Sequence, residues 1–439
     1  MRIVSAHFIS GKSAFYFDDQ QSIKNGIQQD GFMYVGPTET TGFTSVRQEG
    51  ECISILLELE NGAYAKGDCA AVQYSGMAGR DSLFSSEALI PYMEQHIRPL
   101  LEGRDIRKFK LNSVFFDSLK IHGKRLHTAI RYGLSQALLD ATAIENVCTK
   151  TEVLCAEYGL PLIAEPIPLF GQSGDDRYTG VDKMIIKKVD ALPHALINNI
   201  PNKLGVNGEK LKDYIQWMVE RITRFRADDS YLPDIHIDVY GTIGILFEQN
   251  AKKIASYIAE LQEIARPFNL YIEGPVDAGG HDEQIESLAQ IKYQLNQSGS
   301  QAKLVADEWC NTYQDIVSFV DAECCDMVQI KTPDLGCIHN IVDAILYCKQ
   351  HGMEAYQGGT CNETDVSAQT CVHVALAARP ERMLVKPGMG FDEGLMIVGN
   401  EMSRSLAIIN RKLSKQVEQT DKAKPRTFNQ TLFTKRALF

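Results

Sequence analysis

The sequence has 439 residues, which is too long for one ordinary domain and long enough for a barrel plus a second domain. Hydrophobic residues make up 44% and charged residues 23% of the chain, a balance typical of soluble globular proteins. The formal net charge of −11 argues against a nucleic-acid or membrane-surface partner, and because no run of about 18 apolar residues occurs we expect no membrane span.

The chain contains eleven cysteines, an odd number, and they are scattered singly apart from Cys324 and Cys325. They form neither a C-x-x-C pair nor the spacing of a small disulfide framework, so reduced thiols in a cytoplasmic protein fit best. The first residues include one arginine and no long apolar run, and we therefore expect no secretory signal.

Residues 1–160 are predicted to form an N-terminal α+β capping domain. Two strand-like runs within residues 52–72 flank Asn61-Gly62, and this dipeptide favours a type I′ hairpin because both turn residues need a positive φ. A loop rich in small residues, from Gln73 to Gly79, follows the hairpin. Helical patterning is expected over about 87–102 and again over about 127–158.

From about residue 160, short apolar runs alternate with helical segments, as is typical of β/α units around a parallel sheet. Eight such units predict a (β/α)₈ barrel over residues 161–414, with an open doubly wound sheet as the alternative. Residues 415–439 are polar, and we expect a loose C-terminal tail. The candidate strands lie around Leu162–Ala164, Ala191–Ile197, Ile235–Val239, Leu270–Glu273, Lys303–Ala306, Met327–Ile330, Glu354–Tyr356 and Met383–Val385. The candidate helices between them cover 209–227, 250–265, 282–297, 335–350 and 364–378.

Acidic residues recur at the ends of three successive candidate strands, at Asp238, Glu273 and Asp307. Because the carboxyl ends of all barrel strands meet at one face, these three side chains are expected to converge there. Three carboxylates at one point repel each other unless a cation lies between them. Hard oxygen ligands without cysteine or clustered histidine indicate Mg²⁺ rather than Zn²⁺. For a lone aspartate at a strand end, a helix cap would be the alternative.

Two basic side chains are candidates for proton transfer at the same face. Gln329 and Lys331 are two residues apart and are predicted to share one face of their strand. A lysine in a dry barrel mouth is a usable general base because burial disfavours its ammonium form, whereas a solvated lysine is the alternative. His194, in an apolar run on the second strand, is predicted to face Lys331 across the barrel, although a core histidine is the alternative. His236 is interpreted as structural.

The order of strand-end Asp, Glu, Asp and Lys resembles the enolase superfamily. Within it, six runs closely resemble the methylaspartate ammonia-lyase family, and the resemblance covers nearly the whole chain. These runs are LPHALIN at 192–198, IHIDVYG at 235–241, YIEGPVD at 271–277, VADEWCNT at 305–312, VQIKTPDLG at 328–336 and YQGGTCNETD at 356–365. The resemblance includes the Gln73 loop, but the chain after about residue 412 has no counterpart in the family pattern.

The resemblance implies reversible elimination of ammonia from (2S,3S)-3-methylaspartate to give mesaconate. It assigns Asp238, Glu273 and Asp307 to Mg²⁺, or to Mn²⁺, and it gives Lys331 the removal of the C3 proton. His194 would act on the opposite face or hold the metal-bound carboxylate. The resemblance also implies a homodimer and activation by a monovalent cation such as K⁺.

The remaining roles that the resemblance implies concern substrate binding. Gln329 would donate a hydrogen bond to the metal-bound carboxylate, and Gln172 would contact the other carboxylate and the amino group. Thr360 and Cys361 would add donors, and Gln73 would reach in from the front domain. A pocket for the methyl group would be lined by Phe170, Tyr356 and Leu384.

Two other classes of protein compete with this interpretation. The first is another enolase-superfamily enzyme, such as a racemase, epimerase or cycloisomerase. These enzymes commonly have Lys-x-Lys on the second strand, whereas here Lys187 and Lys188 are adjacent and precede it. The second is a binding protein or a nucleotide-binding enzyme. The glycines of 388–394 resemble a dinucleotide fingerprint, but their spacing is wrong and they follow the last strand.

Overall fold

The computed structural model describes residues 1–76 and 80–423, and residues 77–79 and 424–439 lie outside the described part. A front domain contains a three-stranded antiparallel sheet and helices, and a second part is a closed barrel of eight parallel strands with helices around it. The predicted capping domain and (β/α)₈ barrel are therefore confirmed, and the open doubly wound sheet is excluded.

The front sheet has the strand order β1-β4-β5. The predicted hairpin joins its last two strands, where Glu58 pairs with Tyr64. The predicted type I′ turn is wrong, because Gly62 has a φ of 79° but Asn61 does not have a positive φ. The strands of this domain are β1 (Ile3–Asp18), β2 (Gln28–Asp30), β3 (Met33–Val35), β4 (Arg47–Leu59), β5 (Tyr64–Cys69), β6 (Lys120–Ile121) and β7 (Lys124–Arg125). Its helices are α1 (Gln20–Lys24), α2 (Ser86–His96), α3 (Arg98–Leu101), α4 (Phe109–Ser118), α5 (Thr128–Glu145) and α6 (Lys150–Tyr158).

Helix α5 packs directly on strand β5. A Cβ atom on Gly67 would lie 2.2 Å from the carbonyl oxygen of Gly133, so only glycine permits this approach. Helix α6 begins with a capping box between Thr149 and Glu152 and ends at Gly159, whose φ is 64°. These local signals explain why the long predicted helix of 127–158 is in fact two helices.

The barrel closes in the order β10-β11-β12-β13-β14-β15-β8-β9. Its strands are β8 (Leu169–Phe170), β9 (Ala191–His194), β10 (Asp234–Asp238), β11 (Leu270–Glu273), β12 (Lys303–Ala306), β13 (Met327–Ile330), β14 (Glu354–Gln357) and β15 (Arg382–Leu384). The helices around it are α7 (Arg177–Ile186), a π-helical turn (Ile200–Leu204), α8 (Glu209–Phe225), α9 (Thr242–Leu246), α10 (Ala251–Ala265), α11 (His281–Ser298), α12 (Tyr313–Asp321), α13 (Thr332–Leu335), α14 (Ile338–Gln350), α15 (Asp365–Ala378) and α16 (Asp392–Ala423). Among the described residues, no helix is long and apolar enough to cross a membrane.

The prediction of the first barrel strand at 162–164 is wrong. The strand that pairs with β15 and β9 is Leu169–Phe170, which is only two residues long and directly follows Pro168. The apolar run at 162–164 lies between Pro161 and Pro166. Since proline has no N–H to donate to a ladder, this segment does not join the sheet.

The last helix continues beyond the predicted end of the barrel. Helix α16 runs to Ala423, so the expectation of a loose tail from Lys415 is wrong for residues 415–423. Those residues are rich in Lys, Gln and Glu and precede Pro425, and these straight-chain residues favour a helix although they are polar. The rest of the predicted tail, 424–439, lies outside the described residues.

Candidate active site

A cavity opens at the carboxyl ends of the barrel strands, where the front domain covers the barrel. This end is where (β/α)₈ enzymes carry their active sites. The front domain contributes Gln20, Val72, Gln73, Tyr74 and Arg80 to its lining. The barrel contributes Gln172, Gly174, His194, Leu196, Asp238, Tyr240, Asp307, Glu308, Gln329, Lys331, Gly359, Thr360, Cys361, Leu384 and Met389.

Three of the predicted functional residues form a compact group in the barrel mouth. Asp238 and Glu273 are paired in register at the ends of β10 and β11, and both are buried. One ligand atom each from His194, Asp238 and Glu273 lies within 4.8 Å of the others. The third predicted carboxylate, Asp307, follows β12 and is paired instead with Lys331, whose Nζ lies 2.6 Å from its Oδ1.

The carboxylates of this group are strongly influenced by burial and by one another. Burial raises the pKa of Asp238 well above its ordinary value, and the neighbouring charges of Glu273 and Asp307 raise it further. Burial likewise raises the pKa of Glu273 to about 7, against the opposing effect of His194. Removing water from carboxylates that also repel each other disfavours the ionised forms, and a bound cation would relieve both effects.

The donor set fits a hard divalent cation. Carboxylate oxygens are the ligands that Mg²⁺ prefers, and two of them lie together at the ends of adjacent strands. The lack of a side chain at Gly274 leaves room for these carboxylates, because a Cβ atom there would approach Asp238 Oδ1 to 3.3 Å. The N–H of Tyr240 donates to the same oxygen over 3.0 Å, which fixes the orientation of Asp238.

Lys331 and His194 lie in the same cavity and come from different strands of the ring. Lys331 follows β13, where burial lowers its pKa but the stronger effect of Asp307 and other acids leaves that pKa raised. His194 ends β9, and burial lowers its pKa. His194 has a φ of 61°, in the left-handed region, and such backbone strain concentrates at functional sites. Its Nε2 lies 3.9 Å from Asp238 Oδ2 and 4.0 Å from Glu273 Oε2.

Glu273 is held by a set of buried polar side chains. Gln329 and the hydroxyl of Tyr356 both donate to its Oε1, the latter over 2.7 Å. His236 is 2.8 Å from the other oxygen and stacks on Phe170 at 4.3 Å. Burial holds the pKa of His236 well below its ordinary value, which favours the neutral ring. His236 thus orients Glu273, in line with its interpretation as structural.

The predicted substrate contacts reach the cavity from several segments. Gln73 donates to Asp18 Oδ2 over 2.6 Å and accepts from the thiol of Cys361 over 3.2 Å, and Thr360 lies beside that thiol. The Nε2 of Gln172 donates to the carbonyl oxygen of Gly388 over 2.7 Å. All four side chains line the cavity.

The three residues predicted to line a methyl pocket occupy two levels of the barrel. Leu384 lines the cavity. Phe170 and Tyr356 are not part of its described lining; both are fully buried and pack in the barrel interior with Leu384, Tyr271 and Met327. Tyr356 donates to Glu273, and Phe170 stacks on His236.

Sequence reasoning missed five polar side chains of the cavity: Gln20, Tyr74, Arg80, Tyr240 and Glu308. Arg80 donates to Asp334 Oδ2 over 2.8 Å and to Asn311 Oδ1 over 3.1 Å, so it joins the front domain to the barrel. Glu308 and Tyr240 also line the cavity, and each directly or closely follows a predicted metal ligand. Glu308 could have been found from the sequence, because it directly follows the predicted metal ligand Asp307. No periodic pattern identifies Arg80.

Comparison with known proteins agrees with this geometry. Sequence models described as the methylaspartate ammonia-lyase N-terminus and C-terminus match residues 1–159 and 161–411. The chain belongs to the methylaspartate ammonia-lyase family. It is 64% identical to the methylaspartate ammonia-lyase of Citrobacter amalonaticus over 412 residues, which cover 94% of this chain and 100% of that protein.

Solved structures of the methylaspartate ammonia-lyase family have the same fold. The Citrobacter amalonaticus enzyme containing (2S,3S)-3-methylaspartic acid superposes with a TM-score of 0.93 over 93% of this chain and 100% of that one. A magnesium complex of β-methylaspartase from Clostridium tetanomorphum, 53% identical, gives 0.90 over 94% and 100%. Muconate lactonizing enzyme from Pseudomonas fluorescens, at 13% identity, gives 0.59 over 85% of this chain and 84% of that one, which shows a shared fold alone.

Proposed function

We propose that this protein is a methylaspartate ammonia-lyase, a carbon–nitrogen lyase that eliminates ammonia from (2S,3S)-3-methylaspartate to give mesaconate, reversibly. One observation supports it most directly: buried carboxylates, Lys331 and His194 all lie in one cavity at the carboxyl ends of the strands. The identity of 64% to a full-length relative of that name supports the same reaction.

The proposal assigns Asp238, Glu273 and Asp307 to Mg²⁺. When bound there, the cation supplies electrostatic stabilisation of the negative charge that develops on the substrate carboxylate next to C3. Gln329, which donates to Glu273 and lines the cavity, is assigned to the same substrate carboxylate. The magnesium complex of the Clostridium tetanomorphum relative supports this cation; Mn²⁺ is proposed as a substitute.

Proton transfer at C3 is assigned to Lys331, with His194 on the opposite face of the substrate. A lysine removes a proton only as the free amine, and its present pairing with Asp307 favours the ammonium form. Lys331 can therefore act as a base only when Asp307 no longer pairs with its ammonium group. His194 has a lowered pKa and is thus available as a neutral base or as a hydrogen-bond donor.

The substrate is an amino diacid, and the remaining lining offers suitable donors. We assign its second carboxylate and amino group to Gln172, Thr360, Cys361 and Gln73. Leu384 is assigned to the methyl group, with Phe170 and Tyr356 packed beneath. The division into residues 1–160, 161–414 and 415–439 remains a prediction at its boundaries, and α16 crosses the last of them.

The experiment that tests this function follows the absorbance of the conjugated diacid product. Purified protein is incubated with (2S,3S)-3-methylaspartate and Mg²⁺, and formation of mesaconate and ammonia is quantified. We expect turnover that chelation of the divalent cation abolishes and that Mg²⁺, and less effectively Mn²⁺, restores. No product at saturating substrate and Mg²⁺ would disprove the proposal.

We also propose that the enzyme is a homodimer, is activated by K⁺ and works in the cytoplasm. Exposed apolar residues cluster on the front domain at Phe32, Met33 and Val35, and such patches often mark interfaces. All eleven cysteines are free thiols, which fits a reducing compartment. Sedimentation equilibrium tests the dimer, and replacement of K⁺ by tetramethylammonium tests the activation.

A further inference from the structure

A buried lysine lies next to the cavity, and none of the roles above includes it. Lys386 follows β15 and is fully buried. Its Nζ donates to Glu363 Oε1 over 2.8 Å, to the carbonyl oxygen of Gly358 over 2.7 Å and to Thr332 Oγ1 over 2.8 Å. A lysine in the protein interior is rare unless it is paired, and here its three hydrogen bonds end on two segments, Thr332 after β13 and residues 358–363 after β14.

The partner carboxylate extends these contacts to the front domain. Glu363 Oε2 accepts a hydrogen bond from the hydroxyl of Tyr132, on α5, over 2.9 Å. Its Oε1 also accepts from Thr332 over 2.6 Å. The backbone of Glu363 accepts from the N–H of Ala14, on β1. The Lys386–Glu363 pair therefore lies where the two domains and two strand-end segments meet.

Both strand-end segments carry residues of the candidate active site. Thr332 directly follows Lys331, and Gly358 and Gly359 lead into Thr360 and Cys361. A Cβ atom on Gly359 would lie 2.3 Å from Lys386 Nζ, so this backbone packs against the ammonium group itself. A shift of the pair would consequently move both segments.

We propose that Lys386 and Glu363 are positioning residues, which set Lys331 and the Thr360–Cys361 segment relative to each other and to the front domain. The inference rests on the proposed function. Replacing a buried ion pair by apolar groups is often neutral or favourable for stability, so stability alone does not account for this one. The Lys386–Glu363 pair instead affects the geometry of the site. A displacement of catalytic groups by about 1 Å can lower the rate about a hundredfold.

The test compares Lys386→Met with Lys150→Met. Lys150 also joins the two domains: its Nζ is 3.3 Å from Asp140 Oδ1 and donates to Thr370 over 3.1 Å, but it does not line the cavity. We expect Lys386→Met to lower kcat/KM for 3-methylaspartate by more than about tenfold. Lys150→Met should keep wild-type kcat and KM, even where its thermal midpoint falls by a similar amount. Equal kinetics in both variants would overturn the inference.

The double variant Lys386→Met/Glu363→Gln separates positioning from stability. It removes the uncompensated buried carboxylate, so its thermal midpoint should recover towards wild type, whereas the hydrogen bonds to Gly358 and Thr332 remain lost and kcat/KM should stay low. Recovery of both quantities together would overturn the inference. If Lys386→Met does not fold, Thr332→Val serves instead: it keeps the ion pair, and we expect a lower kcat with little change in KM, while unchanged kcat would contradict the proposal. An inactive wild-type protein would instead reject the proposed function, and the inference with it.

Discussion

Lys331 and Asp307 form the closest contact between a predicted base and a predicted metal ligand, with 2.6 Å between Nζ and Oδ1. Both side chains are largely buried, so the charge of one strongly affects the protonation of the other. While they are paired, Asp307 holds the pKa of Lys331 above its ordinary value. The state in which Lys331 is a base and the state in which Asp307 binds a cation are therefore linked.

The first prediction concerns the three carboxylates. Asp238→Asn, Glu273→Gln and Asp307→Asn should each raise the Mg²⁺ concentration needed for half-maximal activity by more than about tenfold, because each removes an anionic ligand. Titration calorimetry with Mg²⁺ gives an independent reading. Glu308→Gln is the matched comparison, since Glu308 lines the same cavity but is not a predicted ligand. A variant with wild-type Mg²⁺ affinity would lose its place among the ligands.

The second prediction separates Lys331 from His194. Lys331→Ala should lose ammonia elimination from the (2S,3S) substrate and deuterium exchange at C3 together, because both need proton removal on one face. His194→Ala should harm the (2S,3R) epimer more than the (2S,3S) substrate. Proton NMR in deuterated buffer measures exchange and turnover in one sample. Equal losses on both epimers in His194→Ala would reduce His194 to a carboxylate contact.

The third prediction concerns Gln73, whose amide is held between Asp18 and Cys361. Gln73→Ala should raise KM for 3-methylaspartate, because a directed hydrogen bond worth about 1–3 kcal/mol is lost when a buried donor is removed. It should also improve addition of methylamine to mesaconate relative to ammonia, since the smaller side chain leaves space near the amino group. Unchanged kinetics with both amines would place Gln73 outside the substrate pocket.

Seven of the eight barrel strands could be predicted because each is an apolar run that ends in a chemically distinctive residue, such as Asp238 or Glu273. The first strand could not, because Leu169–Phe170 is too short to show a pattern and is preceded by a longer apolar run that proline excludes from the sheet. The end of helix α16 could not be predicted, since its last turns are polar and lack an apolar stripe. The barrel mouth was predictable from spacing alone because strand ends converge in this fold.

Two residues whose polar partners are distant in the sequence, Arg80 and Lys386, have no such pattern. Arg80 contacts Asp334, which is 254 residues away, and no local period encodes that distance. Lys386 was likewise missed, because a single lysine after an apolar strand predicts a solvated residue, whereas its partners are Thr332 at the start of α13 and Gly358 and Glu363 in the segment between β14 and α15. Long-range polar contacts of this kind are determined by the closed barrel and only become visible in the structure.

The fourth prediction follows from that contact. The Arg80–Asp334 ion pair is buried, and α13, which carries Asp334, starts directly after Lys331. Arg80→Met leaves the Asp334 carboxylate without this partner, at a cost of about 3 kcal/mol, and should raise KM and lower kcat together. Arg80→Lys should restore part of the activity, because it keeps the charge but not the planar guanidinium. Arg221→Met, which breaks the pair with Asp182 on the outer helices, is the control. Wild-type kinetics for Arg80→Met would show that the pair does not support the site.

The last prediction concerns acid stability and begins at Asp19, the N-cap of α1, beside the Asp18 that holds Gln73. Its buried carboxylate accepts hydrogen bonds from Thr40, from the N–H of Glu39 and from Ser22. Burial raises the pKa of Asp19, but these hydrogen bonds outweigh that effect and lower the pKa to about 2.

A carboxyl whose folded pKa lies below its unfolded value, about 3.9, contributes stability that is complete above pH 4 and is lost as the pH falls through 2. We therefore expect Asp19→Asn to be less stable than wild type by about 1–2 kcal/mol at pH 6, and this difference should shrink between pH 4 and pH 2.5, because the carboxyl of the unfolded wild-type chain takes up a proton there while the folded one stays ionised. Urea unfolding at several pH values measures the difference, with Asp213→Asn, at an exposed position on α8, as a control that should match wild type throughout. A gap between Asp19→Asn and wild type that stays constant down to pH 2.5 would show that the charge of Asp19 does not stabilise the loop beside the cavity.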